Sequence, residues 1–551
     1  MALAIFVFLS PISPQSTYSP KALDMDSPVY DLADTLYRVH RLAIPSTARP
    51  WSMAEAAQII RNIPDDPTTN SLKHRAFSYL ETALSQQGTN DLSYRFGAVI
   101  SLESYFHTNT TDYIAPKDWQ YSIDERQPLI NLSMELQWDN TFYFRSGILV
   151  GTGATTSNDM EHTILADYPQ GVGALIPQGS DAQYLFQSEL YRKRFNTNIL
   201  TKKKEFESNW PQDSQIAIGK NWWNVSLGRG RIQWGAGESG NLILGGHLTA
   251  LDNLNISFFS KELKLQLLYV FLPNPISLDE SAQRIFLGHR LEARPFDWLS
   301  LSLSESVMFK GESFPLNYCN PTILYHNIYR RNQLNSIAGM EADVALLPGL
   351  SLHAQFVVDQ YKLPTESNSE ANALGRLVNL TYSTVLRDHV LTLRFERVIT
   401  DPCLYHRDGV DFLFVRGLRN NDDPLDFDFL GYQWGSDSQV SLLGLSYELP
   451  GIATFGLHTI WVTQGELGLF GTHTTEGNNT GRPDIYEKNP SGDVCTRTVV
   501  IGFSAVWRLL KAPVRLYSQI DWINRKMQTK GEAPSPAHQD FQWIAGMSIS
   551  L

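Results

Sequence analysis

The sequence predicts an all-β transmembrane barrel of about eighteen antiparallel strands, preceded by a small N-terminal α-helical bundle. Three observations predict it. Runs of about ten residues from Ser93 to Leu551 alternate apolar with polar side chains. Tight turns and long polar loops separate these runs by turns, and no helical period interrupts them.

The first residues, Ala2 to Leu9, form an apolar run that reads as the h-region of an export signal without a basic n-region or a small-residue cleavage site. Residues 1–26 are therefore expected to be a signal and leader, with Pro11 to Lys21 unstructured. From 27 to 90 the period changes. Leu32, Leu36, Val39 and Leu42 lie on one helical face, and Ser52-Met53-Ala54-Glu55 is a capping-box pattern opening a second helix. Pro64 to Thr69 is a breaker cluster, after which Leu72 to Leu84 reads as a third helix.

From residue 91 to 551 the strands begin. Leu132, Met134, Leu136 and Trp138 alternate with Ser133, Glu135 and Gln137. Leu350, Leu352, Ala354, Phe356 and Val358 do so against Ser351, His353 and Gln355, and Phe541, Trp543, Ala545 and Met547 share one face of the last run. Such strands suit a wall between lipid and a wet or polar lumen. Short connections fall near Ser260–Glu262, Pro295–Asp297, Leu347–Leu350, Leu386–Asp388, Leu449–Gly451 and Arg508–Pro513. The alternate ones are long: Leu272–Ala282, Lys310–Asn332, Tyr361–Gly375, Thr400–Ser438, Thr463–Asp493 and Lys526–Asp540. Short periplasmic turns and long extracellular loops orient the barrel and leave both ends and the helices in the periplasm. The strand count is even only if the weak stretch Gln215 to Gly219 is also a strand.

Composition agrees without having suggested this. The chain has 551 residues, a net charge of -12, 11% aromatic residues, a pI near 5.6 and a mean hydropathy of -0.22. Half of each barrel strand is polar, so such an average is ordinary. No run is long enough for a spanning helix; the richest, Leu265 to Leu272, is far too short. The acidic balance argues against nucleic acid. Cys319, Cys403 and Cys495 lie in different loops or at a loop edge without metal-ligand spacing, and at most one disulfide can join two of them.

Few motifs carry chemistry. Gly235-Ala236-Gly237-Glu238-Ser239-Gly240 fits G-x-G-x-x-G, yet Asn241-Leu242-Ile243-Leu244 is no helix start. A tight turn or close backbone approach is expected rather than a dinucleotide site. Phosphate-loop, zinc-protease and nucleophile-elbow patterns are absent, so neither catalysis, metal nor cofactor is expected.

The acidic run Asp422, Asp423, Asp426 and Asp428 lacks EF-hand spacing and reads as solvated charge or a calcium loop. Beside it Phe429, Tyr432 and Trp434 are able to stack on a sugar ring whose hydroxyls the acids would accept, or to pack the loop or join an aromatic girdle. A basic cluster, Arg192, Lys193 and Arg194 with Lys202 to Lys204, lies where 182–195 is either a helix or unrecognised strands. Those charges suit an anionic glycan, lipopolysaccharide phosphate or plain solvent.

Several segments together resemble the capsule assembly protein Wzi family. They are Arg49-Pro50-Trp51-Ser52, the glycine-rich Gly228 to Gly237 around Trp234-Gly235, and Gly240 to Leu244. Asn320-Pro321 with Tyr325, Gln355-Phe356 with Asp359, Glu396-Arg397-Val398, Tyr405-His406 and Leu430 to Asp437 follow in order. The resemblance implies an eighteen-stranded outer-membrane barrel that holds surface polysaccharide as a lectin, without catalysis. Tyr432-Gln433 stands where the family has His-Pro, and Leu551 stands where outer-membrane barrels carry an aromatic residue.

The expectation is thus a monomeric integral protein of the bacterial outer membrane that binds capsular-type polysaccharide through Tyr432, Trp434, Asp437, Asp426, Asp428, Arg192, Lys193 and Arg194. Outer-membrane lipid, lipopolysaccharide and the barrel-assembly machinery are its other expected partners. The alternative is a porin or transporter passing small solutes through a polar lumen.

Overall fold

In the computed structural model the described residues are 18–84, 87–88, 92–109, 127–150, 164–165, 183–186, 198–199, 213–248, 251–272, 283–314, 316–320, 323–325, 334–361, 371–407, 410–418, 422–467, 488–509 and 513–551. Eighteen antiparallel strands close into a barrel. In chain order they are β1 (Leu92–His107), β2 (Ile130–Trp138), β3 (Phe142–Val150), β4 (Ser214–Lys220), β5 (Trp223–Gly230) and β6 (Leu251–Phe259). Then come β7 (Leu263–Leu272), β8 (Gln283–Phe296), β9 (Leu299–Gly311), β10 (Leu334–Leu347), β11 (Leu350–Gln360) and β12 (Ala373–Leu386). The last six are β13 (His389–Thr400), β14 (Ser438–Leu449), β15 (Ala453–Gln464), β16 (Val494–Arg508), β17 (Val514–Thr529) and β18 (His538–Ser550). Closure is made by β18 on β1, from Gln542↔His107 to Ser550↔Val99, so no edge is left unpaired.

The alternation resolves into two faces. Phe96, Leu132, Leu303, Phe395, Phe503 and Trp543 are exposed on the outside, where a bilayer would cover them. Their neighbours Ser302, Glu396 and Gln542 are buried inward. The weak stretch at 215–219 is β4, which pairs with β3 and β5 and completes the even count. The longest difference from expectation is at 526–540, where β17 continues to Thr529 and β18 begins at His538.

The helices α1 (Pro28–Val39), α2 (Met53–Arg61) and α3 (Asn70–Leu84) form at the expected places. Ser27 caps α1 ahead of Pro28, whose fixed φ suits the first helical position. The Ser52 side chain accepts from the Glu55 amide at 3.2 Å and caps α2. Only this half of the capping box forms, because the Glu55 carboxylate is directed to Lys264 of β7 instead, at 2.5 Å. Leu32, Leu36, Trp51, Ile60, Leu72 and Leu80 make the core of the bundle, and Val390 of β13 belongs to the same cluster. The bundle therefore sits in the end of the barrel that carries the short turns. There the Arg38 guanidinium reaches Ser351 at 3.1 Å and the Gly349 amide donates to the Arg38 carbonyl at 2.7 Å.

Residues 1–17 of the expected leader lie outside the described residues. From Tyr18 onward the chain is packed into the barrel: Lys21 is buried and its ammonium lies 2.7 Å from Glu135 of β2.

Candidate functional site: a filled lumen beneath a loop face

Along the wall from β7 to β13 the inward polar residues Gln266, Arg290, His353, Gln355 and Glu396 are spent on protein, not on water. The segment after α1 enters the lumen from the turn end, and the β5–β6 connection, described over residues 231–248, enters from the loop end. They meet in a three-stranded sheet in which Ala48–Arg49 pairs with Gln233–Trp234, and these with Leu244–Gly245. Trp234 is fully buried, and its indole donates to Gln266 of β7 at 2.8 Å. The wall makes room for it at Gly288 of β8, where a Cβ would stand 2.6 Å from the indole ring.

Three inward positions then clamp the backbone of this plug, and a fourth holds a side chain of the segment that meets it. Glu396 of β13 accepts from the Glu238 amide at 2.7 Å and the Ser239 amide at 2.9 Å, and also from the Ser239 hydroxyl. Gln355 of β11 accepts from the Leu242 amide at 3.0 Å. His353 Nε2 accepts from the Ala236 amide at 3.2 Å while Nδ1 faces Asp343 of β10 at 3.0 Å. Arg290 of β8 bridges Glu341 at 2.6 Å and Thr47 at 2.6 Å. The amides of Ala236, Glu238, Ser239 and Leu242 are thereby satisfied by the wall, as backbone buried in a loop requires. The glycine-rich stretch is the close backbone approach that its composition predicts: Gly235 has φ +122, and a Cβ there would collide with Gln355 and Asn241.

The β13–β14 connection, residues 401–437, adds a second layer. Leu404, Tyr405, Phe412, Leu430 and Tyr432 join the same apolar core as Trp234 and Leu242. Tyr405 donates to the Leu242 carbonyl at 2.7 Å and accepts from the Tyr432 amide at 3.1 Å. Above it a four-stranded sheet joins Leu413–Leu418, Asp422–Phe429, Gln183–Phe186 and Ile164–Leu165. The segment 182–195, left open between helix and strand, thus contributes a strand at Gln183–Phe186, parallel to Asp422–Phe429.

The sequence-predicted site residues separate into three groups. Tyr432 and Asp437 are buried and structural. The Tyr432 hydroxyl lies 2.8 Å from that of Ser239, and burial holds its phenol well above the ordinary tyrosine value, so it remains a neutral hydroxyl. The Asp437 carboxylate accepts from the Ser491 amide at 2.8 Å, the Leu467 amide at 3.1 Å and the Ser491 hydroxyl, which staples the β15–β16 connection to the β13–β14 connection. Neither side chain presents itself to a ligand. Their aromatic and hydrogen-bonding character marked them as sugar contacts in the sequence, but Tyr432 packs on the plug and Asp437 ties two loop connections together.

Trp434 and Asp428 remain accessible in part. Trp434 packs against the core with one face while Gln433 beside it is exposed, and Asp428 lies 3.3 Å from His247 of the plug. The side chain of Asp426 and the whole of Arg192, Lys193 and Arg194 lie outside the described residues. The three cysteines are unpaired as thiols, and burial pushes Cys403 up from its ordinary value.

The residues that sequence reasoning missed are the inward charges Lys264, Arg290, Glu341, Asp343 and Glu396. Their signal was present: charged side chains at the lumen phase of strands whose other face is apolar call for buried partners.

A closed eighteen-stranded sheet with an apolar exterior and a lumen filled by its own chain defines an outer-membrane-type β-barrel of the plugged class. The sequence model of the capsule assembly protein Wzi family matches residues 179–532, and the chain belongs to that family. Among solved structures, it is similar to Wzi of Escherichia coli, an outer membrane protein involved in group 1 capsule assembly and a carbohydrate binding β-barrel. The identity is 12% and the TM-score 0.55, over 96% of this chain and 98% of that one. Looser likenesses are OprD of Pseudomonas aeruginosa, at 11% identity, 83% and 95% coverage and TM-score 0.39, and OmpT of Vibrio cholerae, at 7%, 85% and 100%, and 0.33. Among curated proteins no match is found.

Proposed function

We propose that this protein retains surface polysaccharide at the outer membrane, as a non-catalytic lectin of the cell envelope. The barrel is integral to the bacterial outer membrane, with its helices in the periplasm and its loop end outside the cell. The carrying observation is the spent lumen: Glu396, Gln355, His353 and Arg290 hold plug instead of lining a wide water passage, which leaves the loop end as the working surface. Membership of the capsule assembly family supports the same ligand class.

Binding follows from geometry at the loop end. Asp437 staples two long connections together, and Trp434, Gln433 and Gln464 lie beside that staple. An indole face flanked by amides suits a sugar ring, whose axial C–H groups stack on the aromatic face and whose hydroxyls pair with amides. Each contact is weak, and a repeating polymer multiplies them through effective concentration.

The test is binding of the purified protein to a panel of surface polysaccharides by surface plasmon resonance. Trp434→Ala should weaken polymer binding by about tenfold, equivalent to about 1.4 kcal/mol, whereas Tyr432→Phe leaves it unchanged. Binding untouched by Trp434→Ala would remove that face from the site, and failure of every polysaccharide to bind would remove the lectin reading.

A further inference from the structure

The plug fills one side of the lumen and leaves the other open. Between it and the wall from β1 to β6 lies a cavity of about 810 Å³, whose lining runs from Ser550 and Leu551 at the turn end to Gln127 and Asp213 toward the loop end. The cause is in the inward residues. On this side they are small, with Gly97 on β1, Ser133 on β2, and Ser226 and Gly228 on β5. On the opposite side the corresponding space is taken by Trp234, Phe286, Phe412 and Tyr405. A lumen that the chain fills so completely elsewhere is here hollowed by residue choice.

The chemistry of the lining is specific. The wall carries Asn131, Gln215, Asn224, Asn253 and Asn255 among serines and charged side chains. Part of their capacity is used within the protein: Gln215 accepts from the Ala22 amide, Asn224 donates to the Pro20 carbonyl, Asn253 to those of Gly228 and Leu251, and Asn255 accepts from Gln266. The charges neutralise one another in place. Lys21 pairs with Glu135 at 2.7 Å, Arg145 with Asp24 at 2.5 Å and Asp213 at 2.6 Å, and Arg231 with Asp26 at 2.9 Å. Arg95 of β1, inward in the register opposite Glu135, makes no ion pair among the described residues and is exposed to the cavity. The carboxylates in the lining at least match its cations, so the chamber has no surplus positive charge with which to hold a polyanion.

We propose that this chamber is a binding site for a short, uncharged oligosaccharide, distinct from the loop face. Its volume lies in the range of small-molecule sites. The ends of these amides not bonded to protein, with the Ser133 and Ser226 hydroxyls, offer both donors and acceptors to the hydroxyl groups of a neutral sugar, and the Arg95 fork supplies further donors. An apolar ligand would desolvate the Arg95 guanidinium, and an anionic one would face Asp24, Asp213 and Glu135. The proposal deepens the polysaccharide reading and rests on it, for it names the chamber as the place of a neutral branch or chain end.

The test is isothermal titration of the full chain in detergent with maltotriose, cellotriose and, as a charged control, tri-galacturonate. At least one neutral trimer should bind, at least fivefold more tightly than tri-galacturonate. The double variant Ser133→Phe and Ser226→Phe, which fills the chamber, should abolish that binding, and Arg95→Gln should weaken it severalfold. Heat-modifiable mobility and circular dichroism report whether the filled variant is folded, and Arg95→Gln keeps the test open should it not be. Absence of binding by both neutral trimers, binding that survives filling or is unchanged by Arg95→Gln, or equal binding of the acidic trimer overturns the proposal. Polymer binding lost with Trp434→Ala but kept in the filled variant belongs to the loop face alone. Failure of the chamber and failure of the lectin reading are therefore read separately.

Discussion

The ammonium of Lys264 on β7 lies 2.5 Å from the Glu55 carboxylate of α2, each 5% exposed, joining residues 209 positions apart. Lys264 also donates to the Ala48 carbonyl at 2.9 Å, so one inward lysine holds both the second helix and the strand that begins the plug. The helical bundle is pinned to the barrel wall through this pair.

Removing one partner should strand the other. Lys264→Ala or Glu55→Ala should destabilise the folded protein by about 3 to 5 kcal/mol, the usual cost of an uncompensated buried charge. The double variant Glu55→Leu with Lys264→Met should recover much of this loss, since no buried charge is left unpaired and only the Ala48 carbonyl loses its donor. Guanidinium unfolding in detergent, followed by tryptophan fluorescence, distinguishes the three.

The plug accounts for the filled lumen, so its removal should open one. Gly230 of β5 is already paired with Leu251 of β6, which lets a short glycine and serine turn replace residues 232–248. Planar bilayers should show little single-channel conductance for the intact chain and a large steady one for the variant. Equal conductance from both would contradict the sealing role.

Gly235→Ala should be poorly tolerated, because φ +122 is strained for any side chain and the new methyl would meet Gln355 and Asn241. A loss of about 1 to 3 kcal/mol is expected, seen as a lower transition temperature by circular dichroism.

Tyr37 of α1 donates to the Ile59 carbonyl at 3.0 Å, and burial pushes its phenol up to about 12. A raised folded-state value means that the native protein keeps a proton the unfolded chain releases above about 10. The stabilisation is fully present below that pH and is lost as pH rises from 10 through 12. Tyr37→Phe should therefore flatten the alkaline fall in stability, measured by unfolding at pH 9, 10 and 11. An unchanged slope would assign the fall to other groups.

Asp437→Ala should free the β15–β16 connection by removing the acceptor of Ser491 and Leu467. Limited proteolysis should then cut within 465–493 sooner than in the parent chain, while the barrel itself stays intact.

Much of the fold was legible because a strand advertises its two environments every second residue. The turns at 260–262, 348–349, 387–388 and 450–452 were read to within a residue or two, and Gln215 to Gly219 was recognised only through the need for an even count. The three helices were legible from Ser52 and from the spacing of Leu32 and Leu36. The candidate site was much less so. Tyr432 and Asp437 have the residue types of a sugar site, and burial is not encoded in residue type. Conversely, Glu396 and Gln355, members of the motifs that carry the family resemblance, hold the plug. Those motifs therefore describe how the lumen is filled and say little about what the outer face binds.

By itself the sequence determined the barrel, its number of strands and the side on which long loops emerge, since these follow from local alternation and connection length. Only the tertiary structure decided that the polar lumen is occupied, that Lys21 and Lys264 are buried pairs and that one side is hollow. The reason is physical: alternation records only whether a side chain faces away from lipid, and the same serine, glutamate or asparagine satisfies that condition against water, against a backbone folded in from either end, or against an empty chamber.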